Sequence, residues 1–179
     1  MTDASPARLW AMRSAFALLV LVILFFHLLP QQMLPRSWAG PEWVTLFAFA
    51  WAVRRPDLVP TPLLGAVLLL ADFLLARPPG LWAVLALIGA ERLKGRTRTL
   101  RDSTLINEIA EIAVTLIVIS AAYHLILTLL LVDNTSLRLT AIQAAASILA
   151  YPAVVFVTHT LMRVRKAAPG DLEPGGSRP

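Results

Sequence analysis

The chain has 179 residues, of which 58% are hydrophobic and 15% are charged, and its mean hydropathy is +0.71. A soluble domain of this size needs more polar surface, so the composition favours a polytopic membrane protein. Six crossings of about 20 residues each would use about 120 residues, which leaves too few for an appended soluble domain. The sequence contains no cysteine, which excludes disulfides, thiol chemistry and cysteine-based metal sites.

The apolar runs predict an all-α integral membrane protein with six transmembrane helices. These helices form a single domain over residues 1–165, and a flexible cytoplasmic tail follows over residues 166–179. The spans are expected at about 9–29, 42–53, 62–76, 80–91, 104–132 and 137–162. The first run ends in Leu28-Leu29-Pro30 without the small-residue pattern of a signal-peptide cleavage site, so we expect an uncleaved anchor.

Spans two, three and four are shorter than the usual range of about 17 to 25 residues. One explanation is that these helices continue beyond their apolar cores, with tryptophans at the membrane interfaces. The other is that spans three and four form a re-entrant pair that meets near Pro78. We favour two full crossings, because a re-entrant turn would place Arg77 deep in the membrane.

The sixteen lysines and arginines lie mostly between the apolar runs. If the N-terminus is inside, only Arg36, Arg77 and Arg138 fall on the outer side. This positive-inside bias predicts a multi-pass protein with both termini in the cytoplasm. The basic charge is therefore a topology signal, and no nucleic-acid partner is expected, since no aromatic interleaving or binding motif accompanies it.

The densest basic segment is the predicted cytoplasmic loop from Arg92 to Asp102, which contains Arg96, Arg98 and Arg101. Such a density can attract anionic membrane lipid or an acidic partner. The alternative is that these charges only orient the protein in the membrane.

Asp72 interrupts a leucine-rich run and is the first candidate for an interaction residue. It can serve as a proton or cation relay, or as a hydrogen-bonded lock between helices. A third possibility is interfacial, because Asp72 is close enough to the helix end for its carboxylate to be solvated or to pair with Arg77.

Glu108 and Glu111 lie three positions apart at the start of span five, so they share one helix face. A paired-carboxylate site is one interpretation. The better supported one is that both acids interact with the helix dipole and face Arg96, Arg98 and Arg101.

The histidines and the other polar residues of the sequence predict neither a metal site nor a catalytic site. His27 and His124 fall near the outer ends of spans one and five, whereas His159 falls near the inner end of span six, so the three cannot share one ion. Phosphate-binding loops, zinc-protease helices and serine-nucleophile turns are missing from the sequence. We therefore expect no catalytic residue, no metal and no cofactor.

Two segments resemble the MreD family of bacterial rod shape-determining membrane proteins. One is Arg54-Arg55-Pro56-Asp57, and the other runs from Gly65 through Asp72 to Ala83. In that family the third helix carries an aspartate and enters a Gly-x-Pro-Leu-Gly-Leu turn. The matching residues are Asp72, Pro78, Gly80 and Leu81, while Ala76 and Pro79 depart from the pattern and are expected to stiffen the turn. The resemblance covers the whole chain in architecture and is motif-specific over about residues 52–90.

The resemblance implies a non-enzymatic subunit of the cell-elongation complex in the bacterial inner membrane, needed for rod shape and for spatial control of peptidoglycan synthesis. The implied partners are MreC and, through it, MreB, RodA and an elongation penicillin-binding protein.

The family's fold is similar to the substrate-binding subunits of energy-coupling-factor vitamin transporters. This similarity supplies the alternative, a small-molecule-binding membrane subunit. Such a subunit needs an outward polar pocket, and the outer helix ends offer few polar groups, chiefly His27, Gln31, Gln32, Glu42 and Asp133. An enzyme acting on lipid head groups ranks third, because the sequence lacks the clustered aspartates that hold divalent metals.

Overall fold

The structure is a computed structural model that describes residues 6–29, 39–97, 104–132 and 136–160. Within these ranges the chain is helical and contains no strand, so the predicted all-α class is confirmed. The helices are α1 (Pro6–Leu28), α2 (Trp43–Arg54), α3 (Thr61–Leu74), α4 (Leu81–Gly95), α5 (Leu105–Leu129) and α6 (Leu137–Thr160), with a short 3-10 helix at Pro56–Leu58. The predicted tail, residues 166–179, lies outside the described residues.

The helices fall into two length classes. α1, α5 and α6 have 23, 25 and 24 residues, and within the described ranges these three are long and apolar enough to cross a membrane. α2, α3 and α4 have 12, 14 and 15 residues. At 1.5 Å per residue the short helices measure about 18 to 23 Å, against about 35 to 38 Å for the long ones. Six full spans therefore stay a prediction.

Two predicted helix ends need correction. α4 continues past position 91 to Gly95, and Glu91 and Lys94 form an ion pair on its last turn. α5 ends at Leu129 rather than at position 132, since Leu131 has a left-handed φ of 53° that closes the helix.

Contacts at the two ends of the bundle show that α2, α3 and α4 alternate in direction. At one end Arg77, just after α3, contacts Glu42, just before α2. At the other end Thr61, the first residue of α3, donates a hydrogen bond to Glu91 near the end of α4. α3 and α4 therefore both run from one end of the short-helix layer to the other.

The centre of the core is α2, in which every residue from Val44 to Arg54 is buried. A helix that is apolar on all sides is stable only when neighbours surround it, and α2 packs against α4, α6, α1 and α3. Trp51 is fully buried, with its ring centroid 5.1 Å from that of Phe16 in α1. The long helices instead expose large apolar side chains, including Phe25, Leu125 and Leu149. This distribution is typical of a protein surrounded by lipid.

Candidate functional site

Asp72 connects α3 to the first turn of α4. Its side chain is fully buried, and its Oδ2 accepts hydrogen bonds from the backbone N–H groups of Gly80 and Ala83, each at 3.0 Å. The first N–H groups of a helix lack partners within the helix, so the carboxylate supplies what α4 otherwise misses. Of the three interpretations of Asp72, this geometry corresponds to the helix-to-helix lock.

The turn between α3 and α4 has the shape that this capping needs. Gly80 has a φ of 86°, a left-handed conformation that glycine adopts at no steric cost. The carbonyl of Pro78 accepts a hydrogen bond from the N–H of Leu81 at 3.3 Å. Pro78 and Gly80 thus shape the turn that brings the start of α4 to the Asp72 carboxylate.

Arg77 pairs with Glu42 and not with Asp72, which corrects the interfacial interpretation. Its Nη1 donates to Glu42 Oε2 at 3.1 Å, and its Nη2 donates to Oε1. The guanidinium also lies over the Trp82 ring, 5.3 Å from the centroid. Burial is the largest single effect and lowers the pKa of Arg77, but the charge of Glu42, its hydrogen bonds to the guanidinium and the smaller effects of Tyr123 and Asp72 together outweigh it, so the net shift of the pKa is upward.

Glu42 also forms hydrogen bonds with side chains of α2 and α6. Its Oε1 accepts a hydrogen bond from Gln143 of α6 at 2.9 Å, and its Oε2 accepts one from Thr45 of α2 at 3.4 Å. Its backbone N–H donates to the Ser147 hydroxyl at 2.9 Å. We call Glu42, Thr45, Arg77 and Gln143 the Glu42 cluster. It ties α2, the α3–α4 turn and α6 together at one end of the bundle.

A second cluster is formed by Arg54, Glu108 and Tyr151, and we call it the Glu108 cluster. Arg54 donates to both carboxylate oxygens of Glu108, at 3.1 and 3.2 Å, and the Tyr151 hydroxyl donates to Oε1 at 2.5 Å. The Glu108 side chain has no exposed surface, and that of Arg54 is 7% exposed. The cluster joins α2, α5 and α6 inside the bundle.

Glu111 has different partners from Glu108. It forms ion pairs with Arg92 at 3.3 Å and with Arg96 at the end of α4. The expected pairing of both acids with the basic loop is therefore wrong for Glu108, because its side chain points inward to Arg54. Arg98 and Arg101 lie outside the described residues.

A cavity of about 1310 Å³ opens at the end of the bundle that holds the Glu42 cluster. Its walls are the ends of α1 and α5 and the start of α6, and its floor is the start of α2 and the turn between α3 and α4. Glu42 and Arg77 lie on the floor, while apolar side chains such as Phe26 and Leu127 line part of the walls. The polar lining includes His27, Glu42, Arg77, Ser120, Tyr123 and Gln143.

His159 is separated from the other two histidines, as the sequence predicted. His27 and His124 both line the cavity, where His124 is hydrogen-bonded to Thr140, whereas His159 lies near the end of α6, two turns beyond Tyr151. No group of three or more potential metal ligands occurs in the part of the chain that the structure describes.

The sequence did not reveal Arg54 and Tyr151 as partners of Glu108, nor Gln143 as a partner of Glu42. A polar residue in a buried apolar helix is expected to have a hydrogen-bond partner, but the sequence does not show which helix supplies that partner. Comparison of the chain with protein-family models, curated proteins and solved structures gives no match.

Proposed function

We propose that the chain is a non-enzymatic, multi-pass subunit of the cell-elongation complex in the bacterial inner membrane. In this role it works with MreC and, through MreC, with MreB, RodA and an elongation penicillin-binding protein to control where peptidoglycan is made. The observation that supports the proposal is that four of the residues carrying the MreD resemblance form one structural unit, namely Asp72, Pro78, Gly80 and Leu81.

That unit is the capped turn between α3 and α4. Asp72 and Gly80 are eight positions apart in sequence, and the Asp72 carboxylate accepts the Gly80 N–H at 3.0 Å. Asp72 accepts the hydrogen bonds of the turn, Gly80 has the left-handed conformation, and Pro78 and Leu81 are joined by a backbone hydrogen bond. Each matching residue therefore contributes to the turn, which supports the resemblance.

The packing also suits a scaffold subunit. Buried polar networks with every group paired fix one arrangement of helices, because any other arrangement leaves charges without partners. In the Glu42 and Glu108 clusters the carboxylate is paired with an arginine from another part of the chain, at two levels of the bundle. The long helices keep apolar side chains exposed on their outer faces, where lipid or the transmembrane helix of a partner protein can pack.

A second candidate function is the small-molecule-binding subunit of an energy-coupling-factor type transporter. The cavity at the Glu42 cluster favours it, since its volume exceeds about 300 Å³, the lower end of typical ligand sites. The outer polar residues His27 and Glu42 both line this cavity.

Affinity capture separates the two candidates. The tagged full chain is purified from native membranes in mild detergent, and the captured proteins are identified by mass spectrometry. The elongation role predicts co-purification of MreC, lost when Asp72→Leu destroys the capped turn. Capture of a transporter ATPase module without MreC would overturn the elongation proposal.

A further inference from the structure

We propose that the cavity above the Glu42 cluster is a binding site for an uncharged amphiphile. Its head group, which offers carbonyl or hydroxyl oxygens, lies on the cavity floor, and its apolar body lies against the walls formed by α1, α5 and α6. The elongation role does not depend on this binding site, so the two can be tested separately, whereas the transporter role would use the same cavity.

The shape of the cavity requires a ligand with two different ends. Polar side chains surround the floor, where Glu42, Arg77 and Gln143 meet and where Tyr123 and Arg77 both pack against Trp82. The walls carry apolar side chains, among them Phe26 of α1 and Leu127 of α5, together with polar ones such as His27 and Ser120. A purely polar ligand would leave the apolar side chains of the walls exposed to water. A purely apolar ligand would displace water from the polar groups of the floor without replacing the hydrogen bonds that this water makes.

The charge balance of the floor disfavours a charged head group. Glu42 and Arg77 neutralise each other, and the other ionisable side chains of the described lining are Tyr123, His27 and His124. The four acceptor positions of the Glu42 carboxylate are occupied by Arg77, which uses two, and by Gln143 and Thr45. A cationic head group would therefore find no free acceptor on Glu42. An anionic one near Arg77 would lie beside Glu42 and be repelled.

Three lining groups are available for a neutral head group. The Tyr123 hydroxyl, the Ser120 hydroxyl and the His27 imidazole make no hydrogen bond with any residue that the structure describes, although all three line the cavity. The guanidinium of Arg77 uses two of its five N–H groups on Glu42. Donors thus outnumber acceptors among the free groups, which favours a ligand with oxygen acceptors.

The test uses three probes that share one chain and differ in head group: monooctanoyl glycerol, octanoate and octylamine. Each is added to the full-length protein in phosphatidylcholine nanodiscs, and the midpoint of thermal unfolding is followed as a function of probe concentration. A ligand that binds the folded state raises this midpoint saturably. We expect a saturable rise with monooctanoyl glycerol and none with the two charged probes at equal concentration.

The two tyrosines of the chain provide matched variants. Tyr123→Phe removes a hydroxyl that faces the cavity, and we expect it to weaken the apparent affinity for monooctanoyl glycerol by about two- to tenfold, the range for one neutral hydrogen bond. Tyr151→Phe removes a hydroxyl in the Glu108 cluster, so it should lower the starting midpoint but leave the affinity unchanged. The proposal is overturned if a charged probe gives an equal rise, if both variants weaken binding equally, or if no probe gives a saturable rise.

Discussion

The guanidinium of Arg54 and the carboxylate of Glu108 form a two-point ion pair, with N–O distances of 3.1 and 3.2 Å, where α2, α5 and α6 meet. Fifty-four positions separate the two residues in sequence. Removing two charges from water is costly, and this cost is recovered only when each partner is present and well placed. The pair therefore makes the packing of three helices depend on one contact.

Replacing Glu108 by Gln should strongly destabilise the protein, because it leaves the buried Arg54 charge without a counter-charge. Breaking a buried pair in this way costs about 3 to 5 kcal/mol. The free energy of unfolding in a denaturing detergent titration measures it. Glu111→Gln is the matched control, since Glu111 lies near the surface with Arg92 and Arg96, where ion pairs contribute about 1 kcal/mol or less. Equal losses for the two variants would contradict the assignment.

Tyr151→Phe should reduce the free energy of unfolding by about 1 to 3 kcal/mol, because it removes a buried hydrogen bond to a charged group. Tyr123→Phe should change it far less, since the Tyr123 hydroxyl has no hydrogen-bond partner in the described part of the chain. The same titration, run on both variants without added ligand, gives the comparison. A larger loss for Tyr123→Phe would show that the two hydroxyls have been assigned the wrong roles.

Asp72→Asn should retain most folded protein, whereas Asp72→Leu should lose a large part of it. An asparagine oxygen can accept the Gly80 and Ala83 N–H groups, but leucine leaves both unpaired, at about 1 to 3 kcal/mol for each buried group. The yield of monodisperse protein after size-exclusion chromatography reports the difference. If both variants fold normally but lose activity in cells, the charge of Asp72 matters and the locking role is wrong.

The charge distribution predicts that both termini are cytoplasmic. A reporter that is active only in the periplasm should give no signal when it is fused after Arg165, and it should be active when it is inserted in the first predicted outer loop, after Arg36. Activity after Arg165 would mean an odd number of crossings and would exclude the six-span topology.

The sequence predicted the features that depend on neighbouring residues. The helices follow the apolar runs, and Pro78 and Gly80 mark the turn that Asp72 caps, because all these signals lie within a few residues of the structure they produce. Pairings between distant residues escaped prediction. Glu42 and Arg77 are 35 positions apart, and Glu42 and Gln143 are 101 apart. Helices that are apolar on every side carry no periodicity to show which face meets which neighbour.

The shortness of the second, third and fourth spans is the sequence feature that relates to the cavity. From the sequence we expect these helices to continue beyond their apolar cores, and α4 does so as far as Gly95. In the structure α2, α3 and α4 are nevertheless shorter than α1, α5 and α6. The start of α2 and the turn between α3 and α4 line the cavity together with the ends of α1 and α5 and the start of α6.

Depletion of the chain in its native rod-shaped cell, followed by microscopy of living cells, tests the proposed elongation role most directly. The account predicts that cells widen and become round as the protein is lost, and that wild-type protein supplied in trans restores rods. Cells that keep a normal rod shape after complete depletion, with or without loss of uptake of one nutrient, would contradict it.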